Sequence, residues 1–238
     1  MSQNAKQQLA LAERILMQQF QSQPFHNLYH LLKVVPINPA YGGTCSDKTK
    51  SYLGALEKAG IEGCLHSARI GGKEIHRLVR VVIGNHTYFA DVGNGWPAIK
   101  LFPADRPVEY NCFGMRYRSE IDHQVMNIFL LKKGIEKLQM QLDLKPKCPV
   151  EIQQCIDNRF AADNYYPFSN SLRFSMIVDD RFLFIRDAVL SIYSKKNYEE
   201  VPNINQNNIA LLVEQYFRFD INAILSGKPL PNPAKILQ

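Results

Sequence analysis

The chain has 238 residues, enough to bury a sizeable core in one domain or in two small ones. Apolar residues make up 46% and charged residues 21%, the balance of a globular protein. The net charge of +6 is spread along the chain, without dense basic runs interleaved with aromatics. That spread argues against nucleic-acid binding, and no apolar run is long enough to cross a bilayer. A mild basic excess suits an anionic cosubstrate or an acidic carrier protein.

Five cysteines (45, 64, 112, 148 and 155) form an odd set at irregular spacing, with no CxxC pair. This predicts neither a disulfide framework nor a structural zinc, and a reducing compartment. Residues 1–12 are polar and Gln-rich, with no apolar h-region, so no signal peptide is expected and the expected setting is cytoplasmic.

In chain order, Leu9, Ala12, Ile15, Leu16 and Phe20 recur at helical spacing over residues 5–20. Pro24 interrupts the pattern, and residues 25–32 read as a second short helix. His26 and His30 would stand there at i,i+4, but without a Cys, Asp or Glu to complete a metal shell a packing role is favoured. Pro36 and Pro39 lead into Gly42-Gly43, read as an open turn, because glycine enters positive-φ conformations at little cost. Lys48 to Ala59 is then an amphipathic helix, with Ser46 or Asp47 as its cap and Gly60 closing it. Ile61 to Ile70 reads as a strand ending at Gly71-Gly72.

The strongest β signal follows. Ile75 to Ile83 and His86 to Val92 form a hairpin across Gly84-Asn85. With that loop, Ile83 faces His86 and Leu78 faces Asp91, so His76 and Asp91 become diagonal neighbours on one face while His86 points to the other. Further strands are expected over Ala98 to Phe102, Asn111 to Ser119 and Val125 to Lys132. A helix starts at Cys148, a hairpin joins Phe174–Val178 to Arg181–Arg186 across Asp179-Asp180, and Ile209 to Phe217 is a last amphipathic helix. The tail after Phe219 carries no pattern.

GxGxxG, the P-loop, GxSxG and HExxH are all absent, leaving Cys45, His76 and Asp91 as the constellation that carries chemistry. A cysteine at a helix start sees the positive end of the helix dipole, which favours thiolate. A buried Asp91 would fix the tautomer of His76 and leave its other nitrogen to act as base. The residues alone leave two readings open, a nucleophilic triad or a small buried cysteine beside a structural His–Asp pair.

The chain resembles the arylamine N-acetyltransferases. Their Arg-Gly-Gly-x-Cys-Phe-Glu signature stands as Tyr41-Gly42-Gly43-Thr44-Cys45-Ser46-Asp47. Their histidine, strand and Asp-Val-Gly-Phe-Gly stand as His76, Leu78, Val79 and Asp91-Val92-Gly93-Asn94-Gly95. Pro24-Phe25-His26-Asn27-Leu28 matches their Pro-Phe-Glu-Asn-Leu, and Asn158-Arg159-Phe160 with Pro167-Phe168-Ser169 matches a later pattern. The resemblance implies an α+β, cysteine-proteinase-like fold: a helical bundle (1–60) carrying Cys45, an antiparallel β-barrel (61–125) carrying His76 and Asp91, and an α/β lid and tail (126–238). It implies a ping-pong transfer of an acetyl or other acyl group from CoA, or from an acyl carrier protein, through Cys45 to an amine. His76 would be the base, Asp91 its orienting partner, and the Cys45 backbone N–H an oxyanion donor. Ser169 and Arg173, with Phe113 and Tyr166, are candidates to line a cofactor cleft; no metal is called for. The departures are Tyr41 for Arg, His26 for Glu, Ser46 for Phe and Asn94 for Phe, which put ordinary arylamine substrates in question more than the triad. A cysteine hydrolase or transglutaminase-like amidase using the same triad, and a non-enzymatic binding relative, are the alternatives.

Overall fold

The computed structural model describes residues 1–36, 38–160, 171–204 and 208–225. The chain is α+β. It begins with α1 (Gln3–Ser22), capped by the Ser2 hydroxyl accepting from the Ala5 amide at 3.2 Å. The expected second helix starts later than its apolar spacing suggests. Phe25 and His26 form a short strand, β1 (Phe25–His26), and only Leu28–Leu32 is helical, as α2. His26 and His30 therefore do not share a helix face. The His26 Nε2 meets the Tyr41 carbonyl at 3.0 Å and its Nδ1 accepts from the Leu28 amide, so both ring nitrogens are occupied by backbone.

After a 3-10 turn at Pro39–Tyr41 comes α3 (Cys45–Lys58), three residues longer at its start than the apolar pattern indicated. Its cap is Thr44, not Ser46 or Asp47. Asp47 instead completes a capping box, accepting from the Thr44 amide and hydroxyl at 3.0 and 3.2 Å. Gly60 follows the last turn in the left-handed region, φ 69°. The strands β2 (Glu62–Ile70), β3 (Lys73–Ile83), β4 (His86–Ala90), β5 (Phe102–Pro103), β6 (Glu109–Cys112), β7 (Met115–Asp122), β8 (Val125–Lys132) and β9 (Ile135–Asp143) make one curled antiparallel sheet, a half-barrel in the order β5-β4-β3-β2-β9-β8-β7-β6. Asn111–Ser119 is not one strand: Phe113 and Gly114, both at positive φ, turn it into the β6–β7 hairpin. Ala98–Leu101 is irregular, leaving only Phe102 and Pro103 as strand. A division at residue 125 would fall between β7 and β8, adjacent partners in this sheet, which ends at Asp143.

Helix α4 (Pro149–Asp157) follows. The second sheet comprises β10 (Arg173–Val178), β11 (Arg181–Arg186), β12 (Val189–Tyr193) and β13 (Tyr198–Val201), with β1 paired at the free edge of β10. Helix α5 (Ile209–Phe217) covers it. Two cores result. One packs α1 and α3 into the concave side of the large sheet around Leu16, Tyr52, Leu78, Phe89 and Phe102. The other joins α2, α5 and the small sheet around Leu28, Phe174, Ile185 and Phe217.

Candidate active site

Three pieces of backbone converge on Cys45. The first is the glycine turn, stitched to β1 by the Gly43 amide donating to the Pro24 carbonyl (3.1 Å) and the His26 amide donating to the Gly43 carbonyl (3.0 Å). A Cβ at Gly42 would lie 2.0 Å from the Pro24 carbonyl oxygen, and one at Gly43 would lie 2.5 Å from the Asp47 carboxylate. Neither position admits a side chain, and both have positive φ, 77° and 138°. The second is β3, tied to α3 by the Thr49 hydroxyl donating to the Arg77 carbonyl at 3.1 Å. The third is the segment after β4, where a Cβ on Gly93 would lie 2.4 Å from the Cys45 Cα.

The hairpin register holds as far as Val79 opposite Ala90, and the chain then leaves the ladder. Asp91 nonetheless reaches His76: its Oδ1 lies 2.8 Å from the imidazole Nε2 and also accepts from the Gly93 amide at 3.2 Å. His86 points away and meets Asp105 at the surface, at 3.2 Å. With Nε2 held by Asp91, Nδ1 is the ring nitrogen left free of Asp91, and His76 and Cys45 line the same cavity. His76 is 2% exposed, Asp91 0% and Cys45 8%, so the contacts are made out of water and are electrostatically strong.

Burial pushes the Cys45 thiol up, yet the hydrogen bond and charge of His76 and the Arg77 contact outweigh it, and the thiol lies below its ordinary value. Burial works against charge on His76 too, but Asp91 and Cys45 override it and raise His76 to about 10. Both shifts favour a thiolate beside a protonated imidazole.

Two charged groups brace the start of α3, Asp47 beyond the capping role expected of it and Lys48 in a role the sequence did not suggest. Asp47, 9% exposed, accepts from Arg159 Nη2 at 2.7 Å beside its capping contacts. Burial raises its carboxyl, while Arg159 and Thr44 pull it down. Lys48, wholly buried, donates to the Gln19 and Gln23 carbonyls at the end of α1, and burial lowers it to about 7. The Thr44-x-x-Asp47 spacing contained the first signal. No local pattern links Asp47 to Arg159, 112 residues later.

Cys45 opens into a cavity of 260 Å³ walled by Phe25, His76, Asn94, Trp96 and Phe184, which Arg173 and Arg186 also line. Of the four cleft candidates, Arg173 is therefore beside Cys45. Phe113 belongs to a separate cavity of 680 Å³ that includes no member of the triad, and Tyr166 and Ser169 lie outside the described residues. Arg186 was not anticipated, although it stands opposite Arg173 in the β10–β11 hairpin. Asn94, where a Phe was expected, turns its Oδ1 to the Trp96 amide at 2.9 Å, and its buried Nδ2 has no acceptor among the described residues. Among the described residues no group of His, Cys, Asp and Glu is placed to hold a metal, and no helix is long and apolar enough to cross a membrane.

This architecture is that of the arylamine N-acetyltransferase fold. The structure is similar to the Mycobacterium smegmatis N-arylamine acetyltransferase, with a TM-score of 0.79 at 15% identity over 100% of this chain and 99% of that one. It is similar to the Salmonella typhimurium enzyme, with a TM-score of 0.76 at 16% identity over 98% and 90% of the two chains. It is also similar to the Mycobacterium marinum arylamine N-acetyltransferase in complex with CoA, with a TM-score of 0.78 at 12% identity over 95% and 90%. The sequence matches no family model and no curated protein.

Proposed function

We propose that the chain is an acyltransferase that moves an acetyl or other acyl group from a CoA or carrier-protein thioester to an amine through an acyl-Cys45 intermediate. One observation carries this reading: Cys45, at the first turn of α3, shares the wall of one cavity with a buried His76 that Asp91 holds at 2.8 Å. The fold shared with acetyltransferases, one of them in complex with CoA, supports the choice of acyl transfer and of CoA. The small sheet supplies Phe184, Arg173 and Arg186 to that cavity, which supports a cysteine-proteinase-like arrangement with the C-terminal part as its lid.

In the first half-reaction the Cys45 thiolate attacks the thioester carbonyl. The new S–C bond forms, the bond to the leaving sulfur breaks, and His76 gives its proton to the departing thiolate. Exchange of one thioester for another is nearly balanced in energy, so the barrier lies in the tetrahedral intermediate. The α3 N-terminus, with the Cys45 amide, offers positive potential to its oxyanion. In the second half-reaction an unprotonated amine attacks acyl-Cys45, neutral His76 takes the amine proton, and the thiolate is released. Asp91 keeps the imidazole oriented through both.

Incubation with acetyl-CoA, followed by intact and peptide mass measurement, is expected to show acetyl on Cys45, discharged by an added amine. A Cys45→Ser variant that retained full transfer would sink the proposal. Discharge to water as fast as to amine would favour a hydrolase instead.

A further inference from the structure

Cys45 lines more than one space. Besides the 260 Å³ cavity it borders a second, of about 10 Å³, between the start of α3 and the end of α4, with Ile75 in the wall of both. That volume is the space of a single water. Its other walls include Ser46, Arg159 and a second thiol, Cys155. Ser46, small where the resembled signature has Phe, is 7% exposed, and its hydroxyl makes no hydrogen bond among the described residues. Arg159 Nε is likewise buried without an acceptor among them. Two donors without acceptors thus border a space that fits one small molecule carrying oxygen.

The neighbours of Cys155 tie it to this place. Arg159, four residues on, meets Asp47 at 2.7 Å, and Asp157 meets Lys50 at 3.8 Å, so the end of α4 is fastened to the first turns of α3. Both thiols are free, Cys155 exposed and Cys45 buried. The other cysteines stand elsewhere. Cys112 lines the 680 Å³ cavity, donates to the Pro97 carbonyl at 3.4 Å, and is raised to about 12 by burial. Cys64 lines a groove against the start of α4, and Cys148 precedes that helix at its opposite end from Cys155.

We propose that Cys45 and Cys155 form a redox pair: the small cavity admits hydrogen peroxide, and Cys155 resolves the oxidised nucleophile as a disulfide. The Cys45 thiolate attacks one peroxide oxygen; the S–O bond forms, the O–O bond breaks, and the departing hydroxide takes the His76 proton to become water. Ser46 and Arg159 donate to the peroxide as it reacts. Cys155, losing its own proton, then attacks the Cys45 sulfur; the S–S bond forms, the S–O bond breaks, and hydroxide with that proton makes a second water. Two thiols are oxidised by two electrons and one peroxide is reduced to two waters. This goes beyond acyl transfer and requires only the activated Cys45.

The test treats the full chain with hydrogen peroxide at pH 7, without any acyl donor, and reads intact mass and non-reduced peptides. The mass is expected to fall by about 2 Da, with the Cys45 and Cys155 peptides linked. Alkylation of Cys45 by iodoacetamide should be lost and return on adding dithiothreitol. In Cys155→Ser, or Cys155→Ala if the first variant is unstable, Cys45 should instead gain oxygen, be trapped by dimedone at the first stage, and lose most of its recovery by dithiothreitol. Ser46→Val, which fills the small cavity, should lose most of the peroxide rate while iodoacetamide still reaches Cys45 through the larger one. Links from Cys45 to another cysteine, or equal irreversible oxidation with and without Cys155, overturn the pair; a peroxide rate unchanged in Ser46→Val overturns the entry of peroxide through the small cavity. A Cys45–Cys155 disulfide in a protein that no thioester acylates would leave the pair standing and refute acyl transfer.

Discussion

Replacing Gly93 by alanine tests how the site is held together. Gly93 does not have the positive φ that favours glycine, so the substitution brings no backbone strain. Through the unfolded state it would even stabilise by about 0.4–1 kcal/mol. The obstacle is contact alone: the new Cβ would lie 2.4 Å from the Cys45 Cα, 2.9 Å from its Cβ and 3.2 Å from its nitrogen. Carbon atoms rest at about 3.5–4.0 Å, so roughly 1 Å of separation must open between the segment after β4 and the start of α3. Neither side yields easily. The capping box and Arg159 brace Cys45, and the Gly93 amide is bonded to the same Asp91 oxygen that orients His76. Overpacking of this kind costs about 1–3 kcal/mol, leaving a net loss of about 1–2 kcal/mol. Displacing the nucleophile by 1 Å from its histidine is expected to cost about 10²-fold in acyl transfer. The measurements are the urea midpoint, the acetylation rate of Cys45, and its alkylation rate by iodoacetamide at pH 7. Gly71→Ala is the control: its Cβ meets nothing within 4 Å, so stability alone should change. A Gly93→Ala protein with wild-type stability and wild-type Cys45 reactivity would refute the reasoning.

Further outcomes follow from the charges. The alkylation rate of Cys45 should rise with pH about a midpoint lowered from that of an ordinary thiol, because its thiolate is stabilised. In His76→Ala only Arg77 still opposes burial and the midpoint should move up; a rate profile from pH 5 to 10 that does not move would contradict the coupling of Cys45 to His76. Asp47→Asn leaves Arg159 buried without its charge partner and weakens the cap, at an expected cost of about 2–4 kcal/mol in denaturant unfolding. Asp47→Asn with Arg159→Met should lose less than the sum of the single changes, by about 0.5–3 kcal/mol. Strict additivity would mean that the two side chains act independently.

The sequence by itself determined the parts that depend on short-range periodicity. Leu9 to Phe20, Ile75 to Val92, Phe174 to Arg186 and Ile209 to Phe217 each carry enough repeats of 3.6 or 2 to define an element. The β3–β4 register followed from one two-residue turn and set His86 aside, and it pointed His76 toward Asp91 although the contact is made beyond the end of the ladder. Glycines 42 and 43 could be read as a turn, but not that one avoids a carbonyl of Pro24 and the other a carboxylate of Asp47. Only the tertiary structure decided whatever joins distant segments. Phe25 and His26, apolar and aromatic enough for a helix, became strand because the edge of β10 was free to pair with them. The half-barrel passes residue 125 because β2 pairs with β9, a contact no local pattern encodes. Arg159 reached Asp47, and Arg186 reached the Cys45 cavity, each from a distant stretch of chain. Periodicity reports which face of an element is buried; which charges share that burial is fixed by packing, where desolvation makes each neighbour count.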